Sequence, residues 1–199
     1  MSLNTINYFL VLLYNTMLTF IISYKGNEEQ ADRLLLQLKQ AGFPDITIIN
    51  PLPSCDKIGI AKTKIVFYTF KKYILPRLIA FKDDCIILED DADVKSPYSV
   101  YLEHFQKGLL SRLSWWKIQT KNYIGGATCV GIDKRLIHRL NIAIHKARPQ
   151  HWDRFLSTFG YSLDSGEHYV IEKEKRLGGT TTHYSPIIGE IREGYKTTF

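Results

Sequence analysis

The stretch Cys85-Ile-Ile-Leu-Glu89-Asp90-Asp91-Ala-Asp93-Val94 decides the fold. Its apolar start reads as a short strand buried on both faces, because nothing polar interrupts it. Such a strand belongs in the middle of a sheet covered by helices, not in a surface hairpin. It ends abruptly in four carboxylates within five positions. Open α/β sheets bind ligands just beyond the carboxyl ends of their strands. The acids therefore fall where a site belongs. Four like charges at this density repel unless a cation or solvent relieves them. Hard divalent ions such as Mg²⁺ and Mn²⁺ prefer carboxylate oxygens. The bland alternative is a solvated acidic turn in which Asp91 or Asp93 caps the next helix.

Upstream, Met17–Ser23 is another short apolar run rich in β-branched and aromatic residues. Tyr24-Lys25-Gly26-Asn27 supplies a turn, and Asn27 is placed to cap a helix. Glu28–Gln40 carries Ala31, Leu34, Leu35 and Leu38 at helical spacing, and Gly42 ends it. Asp45–Ile49 is a second strand, closed by Asn50-Pro-Leu-Pro53. This is a βαβ unit with a right-handed crossover. A basic helix is expected from about Gly59 to Tyr73, with Pro76 near its end.

Downstream, Ser96-Pro97 open a helix through Phe105. Tyr123–Ile132 reads as one strand, and Asp133 as the cap of a helix over Lys134–Lys146. Pro149 breaks the chain, Trp152–Phe159 form a short helix, and from Gly160 the sequence is polar and irregular. No internal repeat is present. The expected architecture is one α/β domain of three layers with a mostly parallel central sheet.

The 199 residues suit one domain. With 45% hydrophobic and 23% charged residues, the chain as a whole is not disordered, collagenous or a coiled coil. Cys55, Cys85 and Cys129 are widely spaced, with no CxxC pair, so disulfide and zinc-ribbon scaffolds fail. A reducing, cytoplasmic compartment is the simplest expectation. The net charge of +6 suits polyanionic partners, but no nucleic-acid motif accompanies it. Ile6–Ile22 is apolar but interrupted by Asn7, Asn15, Thr16 and Thr19. It has neither the basic start nor the small-residue cleavage site of a signal peptide. Tyr8–Tyr14 reads as an arm that docks on the core or peripherally on a membrane.

Glu-Asp-Asp-Ala-Asp-Val after a buried third strand resembles the DXD region of GT-A fold glycosyltransferases. Phe20-Ile-Ile-Ser23-Tyr24-Lys25-Gly26-Asn27 is similar to their first strand and donor loop. A fainter likeness is to minimal glycosyltransferases encoded by viruses of thermophilic archaea, which would put the chain in the host cytoplasm. The family resemblance spans residues 17–160 loosely. It implies a nucleotide-diphospho-sugar transferase fold, with a donor half over about residues 17–95. An acceptor half and C-terminal flap would fill about residues 96–199.

In that family DXD holds a divalent cation, Mn²⁺ or Mg²⁺, on the diphosphate of a UDP- or GDP-sugar. Two registers fit: Glu89-Asp90-Asp91 and Asp91-Ala92-Asp93. Asp91 belongs to both. Ser23, Tyr24, Lys25, Asn27, Lys62 and Asp90 are the implied nucleotide-donor contacts. His183 is an additional candidate metal ligand. Asp153, after the Pro149 break, is the candidate base of an inverting transfer, with helix capping as its ordinary alternative. Asp133 and Asp164 compete for that role. Arg192 and Lys196 are candidate phosphate contacts, and Gly178–Thr182 a candidate flap. Trp115, Trp116 and Trp152 could stack on sugar or fill the core. The acceptor, a glycan or a protein, is not legible. Two other classes fit the same residues. One is a metal-dependent nucleotidyl- or phosphotransferase. The other is a non-enzymatic basic binding module.

Overall fold

The structure is a computed structural model describing residues 17–24, 26–50, 64–113, 116–117, 124–125, 127–163, 169–171 and 188–190. Lys25, Lys62, Asp164, His183, Arg192 and Lys196 lie outside the described residues. So do the Tyr8–Tyr14 arm, the Gly178–Thr182 stretch, Trp115 and Gly126.

The elements run β1 (Leu18–Ile22), α1 (Glu28–Gln40), β2 (Ile46–Ile49), α2 (Ile65–Thr69), a π-helical turn (Phe70–Ile74), α3 (Leu75–Phe81), β3 (Cys85–Glu89) and β4 (Ala92–Val94). They continue with α4 (Tyr98–Phe105), β5 (Leu110–Arg112), β6 (Trp116–Lys117), β7 (Ile124–Gly125), β8 (Cys129–Ile132), a 3₁₀ turn (Lys134–Leu136), α5 (Ile137–Lys146), α6 (Trp152–Leu163), β9 (Tyr169–Ile171) and β10 (Ile188–Glu190). The main sheet has the order β2-β1-β3-β8-β5-β9. Neighbouring strands are parallel except at β8, which runs antiparallel to both β3 and β5. The expected three-layer α/β architecture with a mostly parallel sheet is therefore present.

β3 lies between β1 and β8, and Cys85 to Leu88 are all at most 1% exposed. Alternation sends Ile86 and Leu88 to one face, with Leu34 and Leu38 of α1 and Tyr101 of α4. Cys85 and Ile87 face the other layer, with Phe67, Phe70, Leu78, Leu140 and Leu156. Burying each such leucine or phenylalanine contributes about 1.5–3 kcal/mol.

α1 matches its expected limits. Its end is a Schellman motif: Gly42, at φ +84°, donates its N–H to the Lys39 carbonyl (3.1 Å), and Phe43 donates to that of Leu38 (3.0 Å). Asn27 holds the N-cap position but makes no side-chain capping bond.

Four expectations need correction. The basic helix does not stop near Tyr73 but continues to Phe81. A proline in an α-helix clashes with the carbonyl four residues back, here that of Lys72. The π turn over Phe70–Ile74 widens the helix there and lets it pass Pro76. Next, the strand expected over Tyr123–Ile132 is two strands in different sheets. β7 pairs with β6, and β8 enters the main sheet; glycine-rich backbone weakens a continuous strand. The last helix runs beyond Phe159 and Gly160 to Leu163. Finally, the acidic turn caps no helix, because the α4 N-cap position is Pro97. Ala92–Val94 instead forms β4, antiparallel to β10, with Gly189 opposite Asp93.

Candidate active site

β1 and β3 run side by side, with Ile22 opposite Glu89. Their carboxyl ends emerge together, which joins the Ser23–Tyr24 loop to the acidic turn. Asp90 is fully buried. Its N–H donates to the Ile22 carbonyl (3.1 Å), and its Oδ2 accepts from the N–H of Tyr24 (3.0 Å). Asp90 thus clamps the first loop to the turn. Gly26, at φ +95°, bends that loop toward α1, and its N–H donates to Glu28 Oε1 (3.1 Å).

Two α1 residues not anticipated from the sequence complete the frame. Arg33 Nη2 donates to the carbonyls of Asp90 (3.4 Å) and Ala92 (3.2 Å). Its guanidinium sets a positive charge under the turn and offsets part of the carboxylate repulsion. One helical turn on, Gln37 Nε2 donates to Asp93 Oδ1 (2.9 Å), while Gln37 Oε1 accepts from the Val94 N–H (3.2 Å). The signal was available. Arg33 and Gln37 are polar residues four apart, flanking the buried Ala31, Leu34 and Leu38 stripe.

These bonds give two of the four acids a framework part. Asp90 and Asp93 are built into the frame. Glu89 and Asp91 are partly exposed at the strand end, with the Glu89 N–H donating to the Thr128 carbonyl (3.0 Å). Beside them Ser23 is 1% exposed, and its Oγ has no hydrogen-bond partner among the described residues. A buried hydroxyl without a partner fits a site that a polar ligand completes. Among the described residues, no three His, Cys, Asp or Glu side chains are grouped to hold a metal by themselves. The donor set suits Mg²⁺ or Mn²⁺ bound through one or two carboxylates, with phosphate and water completing the shell.

Asp153 lies in the first turn of α6 and is partly exposed. It is not the N-cap, and its Oδ1 accepts from the Arg154 N–H (2.7 Å). Its backbone is anchored by a relay. Arg112 Nη1, on a fully buried side chain of β5, donates to Ser157 Oγ (2.9 Å), which donates to the Asp153 carbonyl (2.9 Å). α6 also packs against β7, just upstream of Ala127 and Thr128 at the site edge. Trp152 is a core residue, stacked on Phe70 at 4.7 Å, not an open sugar platform. α6 and α1 occupy opposite layers, so Asp93 and Asp153 are held from opposite faces of the sheet.

Asp133 is excluded from the site by position. It follows Ile132, which pairs with Cys85 at the other end of β3. There it caps the 3₁₀ turn, accepting from the Arg135 N–H at 2.8 Å. Burial pushes the Asp133 carboxyl up, but the Arg135 hydrogen bonds and the charges of Arg135 and Lys134 outweigh it. The net effect is a carboxyl below the usual range. Burial pushes the Cys85 and Cys129 thiols far up, and Asp84 adds to this at Cys85. Neither is a nucleophile.

No family model matches the chain, and no curated protein matches it. Solved structures do. The chain shares its fold with a known glycosyltransferase. That protein, described as involved in the glycosylation of the major capsid of PBCV-1, superposes with a TM-score of 0.55 at 11% identity. The match covers 78% of this chain and 82% of the other. The WbbM bifunctional glycosyltransferase gives a TM-score of 0.45 at 12% identity, over 74% of this chain and 37% of its own. Among the described residues no helix is long and apolar enough to cross a membrane.

Proposed function

We propose that the protein transfers a glycosyl group from a nucleoside-diphosphate sugar, UDP- or GDP-linked, to an acceptor hydroxyl on a glycan or protein. The observation that carries this reading is the Asp90–Tyr24 clamp. It joins a carboxylate-bearing end of the central strand to the first strand–helix loop, at the sheet edge where α/β folds bind nucleotides. The shared fold supports the reading.

Asp91 holds a divalent cation, with Glu89 as its neighbour. When bound, that cation neutralises charge developing on the leaving diphosphate. Asp90 and Asp93 keep the turn in shape through Tyr24 and Gln37. Ser23 Oγ offers a hydrogen bond to the nucleotide. Asp153 accepts the proton of the acceptor hydroxyl as its oxygen bonds to the anomeric carbon, the bond from that carbon to the diphosphate breaks, and configuration inverts.

The test is incubation with a panel of nucleotide sugars and Mn²⁺. Donor hydrolysis, together with a raised melting temperature on adding one nucleoside diphosphate, is the expected outcome. Silence toward every nucleotide sugar overturns the reading. Pyrophosphate release from a nucleoside triphosphate would select nucleotidyl transfer instead.

A further inference from the structure

Residues 64–82 hold five lysines and arginines and no aspartate or glutamate, and residues 134–150 hold another five, again without a carboxylate. The remaining sixteen basic residues face all twenty acids of the chain. The net positive charge therefore resides in these two stretches. The fold makes them neighbours, because α3 packs on α5. Leu78, Leu140 and Ile144 turn inward to the core. On the outside, Ile79, Ile137, His138 and Asn141 line an open groove of about 450 Å³, with Lys82, Lys134 and Arg135 at its rim.

Three large apolar side chains are exposed on these two helices, and Phe81, two positions from Ile79, leaves α3 on another side from the groove. Ile79 is 44% exposed, Phe81 64% and Ile142 42%. Leu36, on α1 in the other layer, is the one further large exposed apolar side chain among the described residues. Three carboxylates, Asp83, Asp84 and Asp133, stand at the same end as Lys82, Lys134 and Arg135. Asp133 pairs with Arg135 at 2.6 Å, and Asp84 accepts the Lys134 N–H at 2.8 Å. Asp83 is partly buried.

Cations interspersed with protruding Ile suit a surface that is anionic outside and apolar a few ångströms deeper. Amphipathic helices that lie in a lipid interface have this composition. A nucleic-acid surface would use the cations but has no use for protruding isoleucines. We infer that the α3–α5 face docks on an anionic lipid membrane. Ile79 and Ile142 enter the headgroup boundary, and the surrounding lysines and arginines meet lipid phosphates. The face lies at the sheet edge that carries Asp84 and Asp133, opposite the edge that carries Asp91. Membrane docking would leave the candidate site open, so lipid binding and nucleotide binding are separately measurable.

The full chain should co-sediment with mixed phosphatidylcholine–phosphatidylserine vesicles and not with phosphatidylcholine alone, and added salt should weaken binding. Ile142→Ser and the double change Lys134→Glu/Lys146→Glu should each weaken it by roughly tenfold, with circular dichroism unchanged. All three side chains are exposed, so either variant suffices if the other folds poorly. Absence of binding to anionic vesicles overturns the inference. Undiminished binding by both variants also overturns it, because contact would then lie elsewhere. Tight binding to DNA or RNA with vesicles ignored would assign the face to nucleic acid.

Discussion

Asp90 Oδ2 accepts the backbone N–H of Tyr24 at 3.0 Å, while Asp91, the next residue, stays partly exposed at the strand end. Asp90 is a frame residue, and its neighbour Asp91 is the ligand in the proposed reading. Asp90→Ala should cost about 1–3 kcal/mol, because it leaves the Tyr24 N–H without its acceptor. Asp90→Asn keeps an acceptor and should cost less. Asp91→Asn should melt near wild type and lose Mn²⁺-dependent protection by nucleoside diphosphate. Thermal melts of the three variants, with and without Mn²⁺ and nucleotide, check this. The opposite pattern would move the metal role to Asp90.

Gln37 bonds Asp93 and Val94 together, through its amide donor and its amide acceptor. Gln37→Glu replaces the donor with an oxygen and sets two carboxylates face to face. It should destabilise the protein by about 1–2 kcal/mol at neutral pH. Asp93→Asn in that background restores a donor and should recover most of the loss. Urea unfolding of both singles and the double gives the coupling. Additive losses would show that the clamp is not the source.

The buried third strand and its acidic end were legible because a continuous apolar run cannot be a half-exposed hairpin strand. α1 was legible to the residue because its stripe, first-turn acids and terminal glycine agree. β5 was missed because it is three residues long and ends in Arg112, whose burial becomes plausible only once Ser157 lies opposite. β4 was missed because its partner, β10, is nearly a hundred residues away. The π turn was missed because a proline reads as a stop when the chain around it is not seen to widen. At the site, the acids were visible but the bonds that hold Asp90 and Asp93 were not, because Tyr24 and Gln37 reach them from far along the chain.

Asp133 gives a stability effect with a defined pH window. Its folded carboxyl lies below the usual range, and Arg135 is correspondingly raised, first through the same hydrogen bond and then through the Asp133 charge. A depressed carboxyl stabilises the folded state above its unfolded pKa, about 3.9, and that contribution fades as pH falls through the lower folded value. At pH 7, Asp133→Ala should cost about 1 kcal/mol as a lost cap. The gap to wild type should narrow below about pH 4. Paired denaturant titrations at neutral and acid pH measure it. A gap that does not change with pH would assign the effect to lost packing rather than charge.

Gly131 sits in the middle of β8, and a Cβ built there would lie 2.1 Å from Cδ1 and Cε1 of the Phe105 ring. Its conformation needs no special φ, so the requirement is space alone. The ring belongs to the last turn of α4, which it seals against the sheet beside Leu102 and Met17. Gly131→Ala must displace the ring and should destabilise by about 1–3 kcal/mol. Phe105→Leu alone gives up part of that burial and should cost less than about 1.5 kcal/mol. Together the two changes should cost less than the sum, because the smaller side chain leaves room for the methyl group. Chemical denaturation of the four proteins supplies the cycle. A neutral Gly131→Ala would show that the Phe105 ring turns aside without loss, and the contact would then have no part in holding α4 to the sheet.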